Sequence, residues 1–140
     1  MSTFTVETTT HAPRLMTSGL FDRLPRLTVI LGHLGETLPF NIWRINHRVS
    51  FMGDLTKFQQ PLTHYMLHNF YVTTSGNFHT QILNATLAEL GADRVLFSTD
   101  YPYESMRETA DRVKIGYANA RRLFPGLPER IGSPADTARA

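Results

Sequence analysis

Leu27-Thr28-Val29-Ile30-Leu31 runs directly into Gly32-His33-Leu34-Gly35-Glu36. A short apolar run without polar alternation predicts a strand buried on both faces, as in a parallel sheet. The glycine-flanked turn after it carries an imidazole and a carboxylate. Downstream, Leu38 to Phe51 reads as a helix with Pro39 near its start. A second strand is predicted over Phe70 to Thr74, ended by Ser75-Gly76-Asn77. A third, Arg94 to Ser98, leads into Thr99-Asp100-Tyr101-Pro102. Between them Thr80 to Leu90 is a helix, with Ile82, Leu83, Leu87 and Leu90 on one stripe and Gly91 at its carboxyl cap.

Upstream, Ala12, Leu15, Met16 and Leu20 have helical spacing within Thr10 to Leu24. Thr10 is the expected N-cap, which requires Pro13 to fall in the first turn. Ser105-Met106-Arg107-Glu108 is a capping-box pattern for a last helix through Ala110, Val113, Ala120 and Phe124, and the tail beyond is expected to be loose. Residues 53–68, which include Pro61, fit neither pattern. Strand, turn and helix therefore alternate about three times. The expected class is α/β with a parallel sheet, either open and doubly wound or part of a barrel.

Composition narrows the function. A length of 140 residues with 41% hydrophobic and 19% charged residues predicts one folded domain. The absence of cysteine excludes a disulfide scaffold, a thiolate metal site and a cysteine nucleophile. A net charge of +2, spread over dispersed arginines, argues against a nucleic-acid partner. No apolar run approaches the roughly 20 residues of a spanning helix, so no membrane partner and a cytoplasmic location are expected. No glycine-rich phosphate fingerprint follows a strand, and no serine sits in a nucleophile elbow.

What remains is a set of polar groups at strand ends, where parallel α/β folds build their sites. Asp100 follows a predicted buried strand and suits a metal ligand, a general acid or base, or a turn cap. His33 and Glu36 are placed for the carboxylate to accept from one imidazole nitrogen and fix the tautomer. Arg44, on the following helix, suits either a bidentate grip on a substrate carboxylate or an ordinary solvated position. His11, His47, His64, His68 and His79 lack ligand-like spacing and read as structural or exposed.

Taken together, the Gly32–Glu36 turn, Leu38-Pro39, Trp43-Arg44-Ile45, residues 73–78, Leu90 to Arg94, residues 97–102 and Asn119 to Phe124 resemble the amidohydrolase-related, metal-dependent decarboxylases. The likeness is to the 2,3-dihydroxybenzoate and γ-resorcylate decarboxylase group, in family order over about residues 4–127. The resemblance implies a partial (β/α)8 TIM barrel: residues 1–127 would form its carboxy-terminal portion, the last three strands with their helices, and residues 128–140 a disordered tail. It also implies non-oxidative decarboxylation of a small hydroxylated aromatic acid with a divalent metal (zinc, manganese or magnesium), in homo-oligomeric full-length proteins.

Carried over residue by residue, Asp100 is the metal ligand and proton donor, His33 the active-site imidazole oriented by Glu36, and Arg44 the group that places the substrate carboxylate. The family's first-strand Glu/His pair and mid-barrel His have no counterpart in this chain, so it is expected to be inactive alone. Asn46 stands where the family pattern suggests Asp, and about a dozen residues are missing around Arg107 to Arg112. The alternatives are a fragment of an amidohydrolase-type hydrolase, or an inactive remnant that serves only as a binding partner.

Overall fold

In the computed structural model, which describes residues 2–55, 57–103 and 122–123, three strands lie side by side in chain order. They are β1 (Val29–Leu31), β2 (Phe70–Thr73) and β3 (Val95–Leu96). Both pairings are parallel, with Val29 opposite Phe70 and Val72 opposite Val95. Parallel neighbours need crossovers, and helices supply them. The helices are α1 (Ser2–Thr17), α2 (Leu20–Arg23), α3 (Leu38–Val49), α4 (Leu62–Asn69) and α5 (Thr80–Leu90). This is three adjoining units of a (β/α) barrel wall. None of the described helices is long and apolar enough to cross a membrane.

Alternation along the strands divides the sheet into two faces. Val29, Leu31, Phe70, Val72 and Val95 point to the helices and join the core with Met16, Phe21, Leu38, Ile42, Met66 and Leu83. Ile30, Tyr71 and Thr73 point the other way. Ile30 is 43% exposed, which corrects the expectation that this run is buried on both faces. Among the described residues the helices cover one face only and β1 lies at the edge of the sheet, so its second face meets water. Tyr71 is shielded instead by the Arg94 guanidinium, 4.9 Å above its ring.

Other boundaries also move. Helix α1 begins at Ser2, and Pro13 lies inside it rather than in its first turn. Side chains that cross to the turn after β1 hold its early residues: Thr5 Oγ1 donates to Glu36 (3.0 Å) and Thr9 pairs with Thr37 (2.8 Å). Gly19, at φ 71°, separates α1 from α2, and a Cβ there would meet the Lys57 carbonyl oxygen at 2.5 Å. Helix α3 stops at Val49 and passes into a 3-10 turn, Ser50–Leu55.

The unplaced stretch contains α4, whose buried residues Leu62, Tyr65, Met66 and Asn69 form one stripe. Asn46 Oδ1 accepts from the Leu62 amide at 2.6 Å and so caps α4 from a distance. Tyr65 donates to Asp22 (2.5 Å) and accepts from the amides of Gln59 and Gln60. Burial and then the bond to Asp22 raise its phenol above the ordinary value of 10.0. Asn69 donates to the carbonyls of Pro25 and Leu27 and so fixes the approach to β1. The capping box at Ser105 and the tail from residue 128 lie outside the described residues. Of the last helix, Arg122 and Leu123 are described, and Arg122 pairs with Asp93 at 3.2 Å.

Candidate active site

The turn after β1 is left-handed through most of its length. His33 (φ 53°), Leu34 (φ 56°) and Glu36 (φ 58°) all have positive φ, as does Gly35 (φ 75°). Each non-glycine residue there costs about 1–2 kcal/mol. Packing holds the turn in place: Leu34 is fully buried and plugs into the core. A Cβ on Gly35 would reach Val72 Cγ1 at 3.0 Å, so the turn lies tight against β2. Backbone strain of this kind clusters at ligand and active sites.

Its imidazole is oriented from β2. His33 Nδ1 lies 2.7 Å from the Ser75 carbonyl oxygen. A carbonyl only accepts, so Nδ1 carries the proton and the lone pair of neutral His33 sits on Nε2. The Ser75 hydroxyl accepts the His33 backbone amide at 3.3 Å and bonds Thr73 Oγ1 at 2.9 Å. Sequence reasoning assigned the orienting role to Glu36. The structure gives it to Ser75, because the left-handed backbone turns Glu36 toward α1, where it accepts from Thr5.

Asp100 is brought in by a side-chain stitch. Beyond the two paired residues of β3, buried Thr74 accepts from the Ser98 amide (3.1 Å) and donates to the Ser98 carbonyl (2.9 Å). Asp100 then takes φ 61°, and its carbonyl accepts from the Tyr103 amide at 2.9 Å. Gly76 (φ 63°) forms the floor: a Cβ there would lie 2.6 Å from His33 Nδ1 and 2.9 Å from Asp100 Oδ2. The imidazole and the carboxylate therefore meet over a residue with no side chain. They share a cavity of about 310 Å³ with Glu36, Asn77, Phe4 and Thr5.

The structure thus brings together His33, Glu36 and Asp100, and leaves Arg44 out. Arg44 is exposed on α3 and does not line the cavity. Ser75, Gly76 and Thr5 were not singled out from the sequence. Ser75-Gly76 at a strand end was visible as a turn, but nothing local signals that Thr5 reaches Glu36. Asp100 and His33 suit a divalent cation chemically, yet among the described residues no group of three His, Asp or Glu side chains is placed to hold one. The donor set fits part of a metal site and is too small to be a whole one.

Parallel strands backed by helices, with polar groups beyond the strands' carboxyl ends, are the arrangement of a (β/α)8-barrel wall. The amidohydrolase family model matches residues 2–126, and the chain belongs to that family. It is 48% identical to the γ-resorcylate decarboxylase of Polaromonas sp. (strain JS666), over 86% of this chain and 41% of that protein. It is 49% identical, with the same coverage, to the γ-resorcylate decarboxylase of Rhizobium radiobacter. Among solved structures it is similar to the 2,6-dihydroxybenzoate decarboxylase from Rhizobium, with TM-score 0.78, 49% identity, and coverage of 87% of this chain and 42% of that one. The dihydroxybenzoic acid decarboxylase from Polaromonas sp. JS666, solved with manganese and the inhibitor 2-nitroresorcinol, gives TM-score 0.79 at 47% identity, over 87% and 41% of the two chains. The chain spans about two fifths of the length of the curated relatives it matches.

Proposed function

We propose that this chain is the carboxy-terminal portion of a metal-dependent decarboxylase acting on a hydroxylated aromatic acid. Asp100 serves as a metal ligand and proton donor, and His33 as the facing imidazole. The observation that carries this reading is the convergence of His33 and Asp100 over Gly76, in a chain nearly half identical to γ-resorcylate decarboxylases. Among the described residues the Asp100 carboxylate has no hydrogen-bond partner, which leaves it free for a cation or a proton. A divalent cation, manganese in one relative, would favour the phenolate form of an ortho-hydroxylated substrate.

Direct loss of carbon dioxide from a benzoate would leave an aryl carbanion that the ring does not stabilise. Proton transfer from Asp100 to the carboxyl-bearing carbon gives a dearomatised ketone instead. The carbon–carboxylate bond then breaks, its electron pair restores the ring, and carbon dioxide leaves. His33, with Nε2 open, accepts a hydrogen bond from a substrate hydroxyl and holds the ring in register. With two facing donors the described segment does not turn over by itself, and the remaining ligands come from the rest of the barrel.

A chimera tests this. The matching segment of the Polaromonas γ-resorcylate decarboxylase is replaced by this chain, and carbon dioxide release from 2,6-dihydroxybenzoate is followed with manganese present. The expected result is turnover that Asp100→Asn lowers by about 100-fold or more, with 2-nitroresorcinol binding retained. A folded chimera that binds 2-nitroresorcinol and releases no carbon dioxide would overturn the proposal.

A further inference from the structure

The folding of Leu62–Asn69 as α4 changes the reading of two histidines. His64 and His68 are four residues apart, so in a helix they lie one turn apart on one face. That is the spacing at which paired histidines share a zinc ion, and it was hidden in the sequence because no helix was expected there. Their rings stack, with 3.9 Å between centroids and planes 17° from parallel. His64 is half-buried and His68 exposed. Both line a cavity of about 340 Å³ together with Asp22, Gln59, Tyr65 and Asn69. This cavity is separate from the one that His33 and Asp100 share. Helix α4 leads into the amino end of β2, whereas those two residues stand beyond the carboxyl ends of β1 and β3.

We propose that His64 and His68 hold a zinc ion across successive turns of α4, at a site distinct from the one behind the decarboxylase reading. His68 Nδ1 lies 2.8 Å from the His64 carbonyl oxygen. A carbonyl only accepts, so this nitrogen carries the proton and Nε2 keeps an open lone pair. Metal-ligating histidines ordinarily donate their other N–H in this way. Neither ring nitrogen of His64 has a hydrogen-bond partner among the described residues. Two protonated imidazoles at this separation would repel each other, whereas one cation shared between neutral rings removes the repulsion. Asp22 adds negative charge to the same cavity, fixed there by the Tyr65 hydroxyl and the Gln59 amide. Paired imidazoles select zinc, copper or nickel over magnesium and calcium. Among the described residues no third His, Asp or Glu is placed to join the pair. Water therefore completes the coordination, and binding is weaker than at a closed structural zinc site. The bound ion staples the helix that feeds β2 directly.

Asp100→Asn removes the carboxylate proposed for the catalytic metal, so zinc binding by that variant counts the α4 site alone, whatever becomes of the decarboxylase reading. Calorimetric titration of the Asp100→Asn chain with zinc chloride at neutral pH should give one ion per chain, with a dissociation constant on the order of 10 µM. Magnesium chloride should give no binding. Adding His64→Gln or His68→Gln should each weaken zinc binding about tenfold or more. Zinc should raise the thermal midpoint of the Asp100→Asn chain and leave that of either added variant unmoved. His68 is exposed, so its replacement leaves the core intact. The proposal is overturned if the Asp100→Asn chain binds no zinc. It is equally overturned if either added variant, with helix content unchanged by circular dichroism, binds zinc as tightly as its parent.

Discussion

Gly76→Ala probes the feature on which the functional reading rests, the meeting of His33 and Asp100. At φ 63° an alanine takes a backbone conformation that costs about 1–2 kcal/mol. Its methyl would sit 2.6 Å from His33 Nδ1 and 2.9 Å from Asp100 Oδ2. The two neighbours respond differently. The Asp100 carboxylate is a terminal group with no partner among the described residues, and it rotates away cheaply. His33 is tethered to the Ser75 carbonyl at 2.7 Å, so moving it sacrifices a hydrogen bond worth about 0.5–1.5 kcal/mol. The substitution should therefore cost about 1.5–3.5 kcal/mol in all.

Gly91→Ala shows a loss with no side-chain clash: a Cβ there would meet nothing within 4 Å, and the cost is that of a backbone at φ 78°, ψ 155°, a region nearly confined to glycine, at about 1–3 kcal/mol. Urea unfolding followed by far-UV circular dichroism gives both values. In a double-mutant cycle, His33→Ala should recover the side-chain part of the Gly76→Ala loss, because it removes the clash partner. A Gly76→Ala loss with no coupling to His33→Ala would refute the convergence and the metal reading with it.

Two further outcomes follow from the helices behind the sheet. Asn46→Ala removes the acceptor for the Leu62 amide and should cost about 1 kcal/mol in urea unfolding. Asn46→Asp should match or exceed the parent, since a carboxylate also suits a helix N-terminus. Burial, and then the neighbouring charge of His68, lower His64 below its ordinary 6.5, with Asp22 opposing. A lowered histidine value means that the unfolded chain binds the proton more readily. Stability should thus be lost as pH falls from above 6.5 through the folded value, and thermal midpoints of His64→Gln should show a shallower decline over that window.

The sheet was legible because its strands are apolar runs bounded by turn residues, and the site because its polar groups follow those runs. What escaped depended on contacts distant in sequence. Helix α4 was hidden because a core position of its stripe is Asn69, whose amide is satisfied by the Pro25 and Leu27 carbonyls. The start of α1 was placed eight residues late because Thr5 and Thr9, not apolar periodicity, hold its first turns. Full burial of the first strand was expected because a continuous apolar run looks the same in a sheet covered by helices on both faces as in a barrel wall, where the second face points to the lumen.

That second face ties the fold to the chemistry. Ile30, Tyr71 and Thr73 share it, and Thr73 passes its contact through the Ser75 hydroxyl to the His33 amide. The lumen face of β2 therefore ends in the groups that hold His33 in its left-handed turn. Closing a barrel over Ile30 and Tyr71 would bury the same face from which the imidazole is positioned. If Asp100 holds a metal as proposed above, barrel closure and site completion are one event: ligands contributed from the far wall would reach it only when the exposed side of β1 is covered. Ile30→Lys makes the two separable. In the chimeric barrel it should cost both stability and manganese affinity, whereas the same change in this chain alone, where Ile30 already meets water, should cost little.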